Sequence, residues 1–284
     1  MAVEVIFLFV LALIWIIFAT VEDIRTREIA NWLNFSLVIF ALGFRFFYSL
    51  FELGSMNFFY QGLIGYGIFF VLGNLFYYGK MFAGGDAKLM ESLGAIIPIY
   101  NNFYSNLELF FYFILLFLFV GAIYGFLVSA FYGIKNFSRL RKEFKVQLDK
   151  HRQNIIIALV FASLFLIIGF FYSMFFYLGL FVFILPYFYL YVKSVDEACM
   201  IKNVSPSKLT LGDWLYEDVK IGRKKVKATW DGLTLEDIEL LKNKEKVLIR
   251  YGVQFAPVFL ISFILLFVTV QFGFSFSFFS AFGF

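Results

Sequence analysis

The sequence predicts an all-α polytopic membrane protein, with about eight transmembrane helices in a range of six to eight, and a small cytoplasmic α+β insert. Three observations predict it. Hydrophobic residues make up 62% of the 284 residues, 45 of them Phe, and charged residues only 15%; soluble domains are about 45–50% apolar. The apolar residues come in unbroken runs rather than in alternation, which argues against a membrane β-barrel. Lys and Arg gather in alternate connections between those runs.

Run length, at about 20 residues per crossing, places the spans at residues 3–20, 32–51, 58–78, 87–99, 107–134 and 253–272. Residues 155–192 form a further apolar run that is too long for one crossing at ~1.5 Å per residue. It splits into two spans near "GFFYSMFFYLG". The fourth span is short and follows a glycine turn. The first has Glu4 in place of a basic leader region and no small-residue cleavage signal before Glu22, so it is expected to be a retained helix.

All of the 24 Lys and Arg residues except Arg45 fall in connections or at span ends on one face of this arrangement. The connections on the other face ("ELGSMN", "YNNFYSN" and the tail after the last span) hold none. The positive-inside rule makes the basic face cytoplasmic and puts both termini outside. The expected organisation is a catalytic membrane core at 1–134, a basic cytoplasmic loop at 135–153 and an additional membrane hairpin at 154–192. A cytoplasmic soluble insert follows at 193–250, and the last transmembrane helix with an outside tail at 251–284. In the insert, "KKVKATW" alternates like a strand. "TLEDIELLKN" reads as a helix with Thr234 as N-cap and acids in its first turn.

One cysteine, Cys199, excludes an intrachain disulfide framework and a Cys-rich zinc site. The one histidine, His151, sits in a basic connection. No metal, cofactor or nucleic-acid partner is expected; the lipid bilayer is.

Two acids stand at the cytoplasmic boundary: Asp23 just past the first span ("VEDIRTREIANWLN") and Asp86 at the start of the fourth ("MFAGGDAKLMESLGAIIP"). At one depth they can face each other if spans 1 and 4 pack together. A carboxylate pair of this kind shares a proton: one member activates water while the other protonates the scissile group, which is the chemistry of aspartyl proteolysis. The dipoles of spans 1 and 4 make Asp86 the more readily ionised member, with Lys88 nearby. Gly84 and Gly85 offer positive φ and close backbone approach.

Around these residues the sequence resembles the archaeal preflagellin and prepilin peptidases, within the wider GxGD membrane aspartyl proteases. "GGDAKLMESLGA" resembles the family's second-aspartate motif, G-D-x-K-L with a downstream L-G-A. "DIRTREIANWLN" resembles its first, an Asp followed by a helix opening at Ile-Pro-Asn. The resemblance implies that Asp23 and Asp86 are the catalytic pair, with Gly84, Gly85, Lys88 and Asn31 as supporting motif residues. It also implies prepilin or preflagellin precursors as substrates, cleaved at the cytoplasmic membrane face. The chain departs from the pattern at Ala83, where the family has Gly, and at Ala30, where it has Pro. It lacks the four-cysteine loop of the bacterial branch, so methyl transfer is not expected. The hairpin at 154–192 looks like an addition to a six-span form.

Other readings stand beside these. Lys88 also suits an interfacial anchor, and Asn31 a helix N-cap. Glu22 is expected to be solvated. Arg45 is expected to reach outward or pair with Glu52. Glu217, Asp218, Asp231, Glu236 and Asp237 are candidates to read a basic leader. The alternatives for the whole chain are a broader intramembrane protease and an ion- or proton-coupled transporter. A transporter would place acids near the bilayer midplane, where none is expected.

The orientation predicts a labelling pattern in a Cys199→Ser background. On intact cells, Ser55→Cys and Ser105→Cys react with a membrane-impermeant maleimide, whereas Ser138→Cys and Ser207→Cys react only after lysis. The reverse pattern would invert the topology.

Overall fold

The computed structural model describes residues 2–222 and 224–272; the expected outside tail lies outside them. The chain forms two compact units, one built from the chain up to Gly125 and again from Gln254, the other from Phe126 to Val253.

The first unit contains α1 (Val3–Thr26), α2 (Asn31–Tyr48), α3 (Asn57–Tyr78), α4 (Gly84–Gly94), the first part of α5 (Phe103–Lys135) and α10 (Ala256–Gln271). On α1, Leu8, Ala12, Ile16 and Ala19 recur at helical spacing and are buried, while Phe7, Val10, Ile14 and Phe18 face outward. Apolar residues all round a helix are the mark of a lipid environment. Phe69, Phe113, Phe117, Phe259 and Phe263 fill the interior between helices. Helix α1 packs against α10 and α2, and α4 lies against α2 and α3. Helix α1 runs further than its apolar run suggests, so Asp23 lies inside its last turn. The helix stops at Arg27, whose φ of 65° is left-handed and whose N–H returns to the Asp23 carbonyl at 2.8 Å.

Among the described residues, six helices are long and apolar enough to cross a membrane: α1, α2 with its wider-wound extension to Leu53, α3, α5, α7 (Arg152–Gly169) and α8 (Ser173–Val195) with its extension to Met200. Each of the eight expected spans corresponds to a helix, but α4 and α10 are short. At 11 residues, α4 reaches only about 16 Å, near half the hydrocarbon thickness. It ends inside the unit, where Ala95, Ile96 and Ile97 are fully buried.

That ending depends on Arg45. Its side chain is 0% exposed, and it neither reaches outward nor pairs with Glu52. Its Nε donates to the Ala95 carbonyl at 2.8 Å, Nη1 to Phe58 at 3.0 Å, and Nη2 to Ile96 at 3.1 Å and to Pro98. An outward path is one option for a buried cation, and a cage of carbonyls is another; the unpaired carbonyls after α4 supply the cage. Gly62 makes room for it, since a Cβ there would overlap the Arg45 side chain. Asn106, also fully buried, completes this end: Oδ1 accepts the N–H groups of Ile99 and Tyr100, and Nδ2 donates to Gln61 Oε1 and to the Tyr100 carbonyl.

The second unit begins with the end of α5. The segment expected as a basic loop is largely a helix, α6 (Phe137–Lys150), because its apolar residues fall at helical spacing and its charges on the remaining faces. Helices α7 and α8 form the expected hairpin, turning at residues 170–172. The small α+β piece holds β1 (Ile201–Val204), β2 (Trp214–Leu215) and β5 (Val247–Arg250) in an antiparallel sheet ordered β1-β5-β2, with Ile201 opposite Arg250. A two-stranded ribbon pairs β3 (Val219–Ile221) with β4 (Lys224–Val226). Thr234 caps α9 (Leu235–Leu241) through a reciprocal pair with Asp237. Two of the candidate leader-reading acids are thus engaged within the fold: Asp237 in this cap, and Asp218 with Lys225 Nζ at 2.5 Å and the Ala228 N–H.

Arg45→Met leaves buried carbonyls without a donor and should destabilise the protein by roughly 3–5 kcal/mol. Gly62→Leu, which displaces Arg45, should do the same, with Arg45→Lys between them and wild type. Thermal unfolding of the detergent-solubilised protein checks this, and unchanged melting in Arg45→Met would refute the cage.

Candidate functional site

Four pieces of chain meet where α1 ends and α4 begins: the last turn of α1, the α1–α2 turn, the first turn of α4 and the N-terminus of α10. Asp23 is 6% exposed. Its Oδ2 accepts the Ala256 N–H at 3.0 Å, and Thr20, one turn earlier, donates its hydroxyl to the Ala256 carbonyl at 3.4 Å. The Phe255 N–H also faces the carboxylate, and Arg27 adds positive charge nearby. Asp23 therefore answers the free N–H groups that every helix start carries. It does for α10 what no side chain of α10's own cap does.

Asp86 lies in the first turn of α4, half-buried. The Ala83 N–H faces its carboxylate, the reach-back of an acid at the third helical position. Asp23 is near enough that its charge acts on Asp86. The two acids expected to share a site therefore lie within electrostatic range of each other, across some sixty residues of sequence.

The dipoles of α1 and α4 favour charge on Asp86 over Asp23. The N-terminus of α10 adds a further dipole at Asp23, whose positive end faces the carboxylate and opposes this preference. No local pattern near Asp23 announces that contact, because its partner is over 230 residues away.

The supporting residues divide. Lys88 Nζ donates to Asn31 Oδ1 at 2.6 Å, which fastens α4 to the start of α2. Asn31 is the first residue of α2 and not its cap; the cap position is Ala30, which has no side-chain acceptor. Instead Glu22 Oε2 takes the Ala30 N–H at 3.0 Å and braces the α1–α2 turn, so Glu22 is not simply solvated. Neither Gly84 nor Gly85 adopts positive φ. Gly85 serves by close approach: a Cβ there would stand 3.2 Å from Ile29 Cβ and 3.4 Å from its backbone N. Gly84 is exposed and has only the Tyr77 ring near it.

Asn34 is an addition that the sequence did not single out. It is 2% exposed, and its Nδ2 donates to the Gly85 carbonyl at 3.5 Å. Its spacing from Asn31 was the available signal, two amides at i, i+3 on one face of an apolar helix. Glu91, in α4, lies within the expected fourth span; it accepts from Asn74 Nδ2 at 3.1 Å.

Residues 10–128 match the model of the type IV leader peptidase family. Asp23, Asn31, Gly84, Gly85, Asp86 and Lys88 all lie within that stretch, and the match bears out the resemblance carried by the two aspartate motifs. The preflagellin peptidase of Methanocaldococcus jannaschii is 36% identical over 93 residues, 33% of this chain and 39% of that protein. The preflagellin peptidase of Methanococcus maripaludis is 30% identical over 90 residues, 32% of this chain and 38% of that protein. The matched region thus spans less than half the length of these curated relatives. No solved structure gives a significant match.

Asp23→Ala removes the acceptor at the start of α10 and should cost about 1–2 kcal/mol of stability. Asp23→Asn keeps an acceptor oxygen and should retain most of that. Melting temperatures of the two variants check the contact; equal loss in both would show that Asp23 does not hold α10.

Proposed function

We propose that this chain is a membrane aspartyl endopeptidase that removes the leader peptide from type IV prepilin or preflagellin precursors. One observation carries the reading: the two acids of the resemblance's motifs, Asp23 and Asp86, come within electrostatic reach of each other at adjoining helix ends. The matched family and the names of the two relatives point the same way.

Asp23, held by the α10 N-terminus, is the charged member and draws a proton from water. Asp86 carries the shared proton and polarises the scissile carbonyl, then passes the proton to the leaving amine. Water adds to the carbonyl carbon, the C–N bond breaks, and the proton inventory of the pair is restored with the roles exchanged. The Lys88–Asn31 tie and the Gly85–Ile29 contact keep α4 against the α1–α2 turn, and so hold the carboxylates together. The positive-inside distribution supports a site facing the cytoplasm, where a short charged leader precedes an apolar helix. The termini are then outside. The core at 1–134 supplies the catalytic groups.

Co-expression with an epitope-tagged prepilin or preflagellin tests this. Wild type should shift the precursor to the mature mobility. Asp23→Asn and Asp86→Asn should each lower cleavage by at least about a thousandfold while keeping the protein folded, because neither acid works without the other. The pH–rate profile should be bell-shaped, its two limbs belonging to the pair. Processing that survives either substitution would refute the mechanism.

A further inference from the structure

Helix α6 is joined to its neighbours by single residues: Asn136 separates it from α5, and His151 from α7. Both neighbours are long and apolar enough to cross a membrane. A helix tied this tightly between two crossings is held close to the bilayer boundary. Its sequence suits that place. One face is packed, with Leu140 and Gln147 buried and Leu140 against Val195 and Cys199 at the end of α8. The edge beside it carries the half-buried Phe144, with Phe137 62% and Leu148 36% exposed. Arg141 and Lys145 follow on the helix surface about 20° and 60° beyond Leu148 by helical geometry of about 100° per residue, and Lys142 lies further round. All three are exposed, and no ion pair involves them among the described residues.

An apolar edge flanked by cations is the arrangement of an interfacial helix: the rings enter the boundary of the acyl chains while the ammonium and guanidinium groups stay at headgroup depth. The helix holds five bases against two acids, so its electrostatic complement is an anionic headgroup layer. We infer that α6 is a membrane-surface helix that binds anionic phospholipid through Arg141, Lys142 and Lys145, with Phe137, Phe144 and Leu148 inserted beside them. This rests on α5 and α7 crossing the bilayer, and it is independent of the peptidase reading.

Each cation close to an anionic surface contributes roughly fivefold to association. In native mass spectra of the full chain, wild type should retain phosphatidylglycerol over phosphatidylcholine. The combined Arg141→Gln, Lys142→Gln, Lys145→Gln variant should lose that preference by about tenfold or more. A second measurement covers the case in which the variant folds poorly. A nitroxide on Leu148→Cys, in a Cys199→Ser background otherwise wild type, should sit below the headgroups in nanodiscs containing phosphatidylglycerol. It should move toward water as salt is raised. Equal phosphatidylglycerol retention by wild type and variant would overturn the inference, as would a water-exposed label in the anionic nanodisc.

Discussion

A helix that stops inside an apolar bundle leaves its last carbonyls without partners, and the rest of the first unit depends on how that is met. An unsatisfied buried carbonyl costs on the order of 1–3 kcal/mol. Arg45 meets the cost after α4 with one planar guanidinium that serves four carbonyls, drawn from the α4 exit and from the start of α3. Its own charge is compensated by those oxygens, so it needs neither water nor a carboxylate. With its far end fixed, α4 can be short, and a short α4 presents its first turn, with Asp86, to the end of α1.

Helix ends dominate at the site as well. The C-terminus of α1 and the N-termini of α4 and α10 converge, and the polar groups there serve backbone first. Asp23 accepts from the start of α10, Glu22 from the α1–α2 turn, and Asn34 donates to the carbonyl beside Asp86. In a lipid environment apolar burial separates helices from each other little better than lipid does, so polar ties and close packing decide the arrangement. The same groups that orient the acids therefore also hold the helices that carry them.

Much of this was legible in the chain. Run length and the sorting of Lys and Arg require a multi-pass helical protein, and the apolar run at 155–192 had to fold as a hairpin because one helix of that length would exceed any bilayer. Asp23 and Asp86 stood out as acids at span boundaries with the residues of two known motifs around them. Thr234 as the cap of α9 followed from its acids, since capping is local. The place of Arg45 is not legible, for the opposite reason. Its partners are main-chain carbonyls, which every sequence has and no sequence marks.

The lipid solvent, the apolar helices and the two acids can be read from the chain alone, because hydropathy, capping and motif spacing act over a few residues. Which helix is cut short, which glycine admits Arg45 and which carboxylate receives the start of α10 emerge only on packing. Those outcomes rest on contacts between backbone groups and side chains distant in sequence: 50 residues for Arg45 with Ala95, and 233 for Asp23 with Ala256. Backbone N–H and C=O groups are the same at every position, so their pairing is written in the packing and not in the letters.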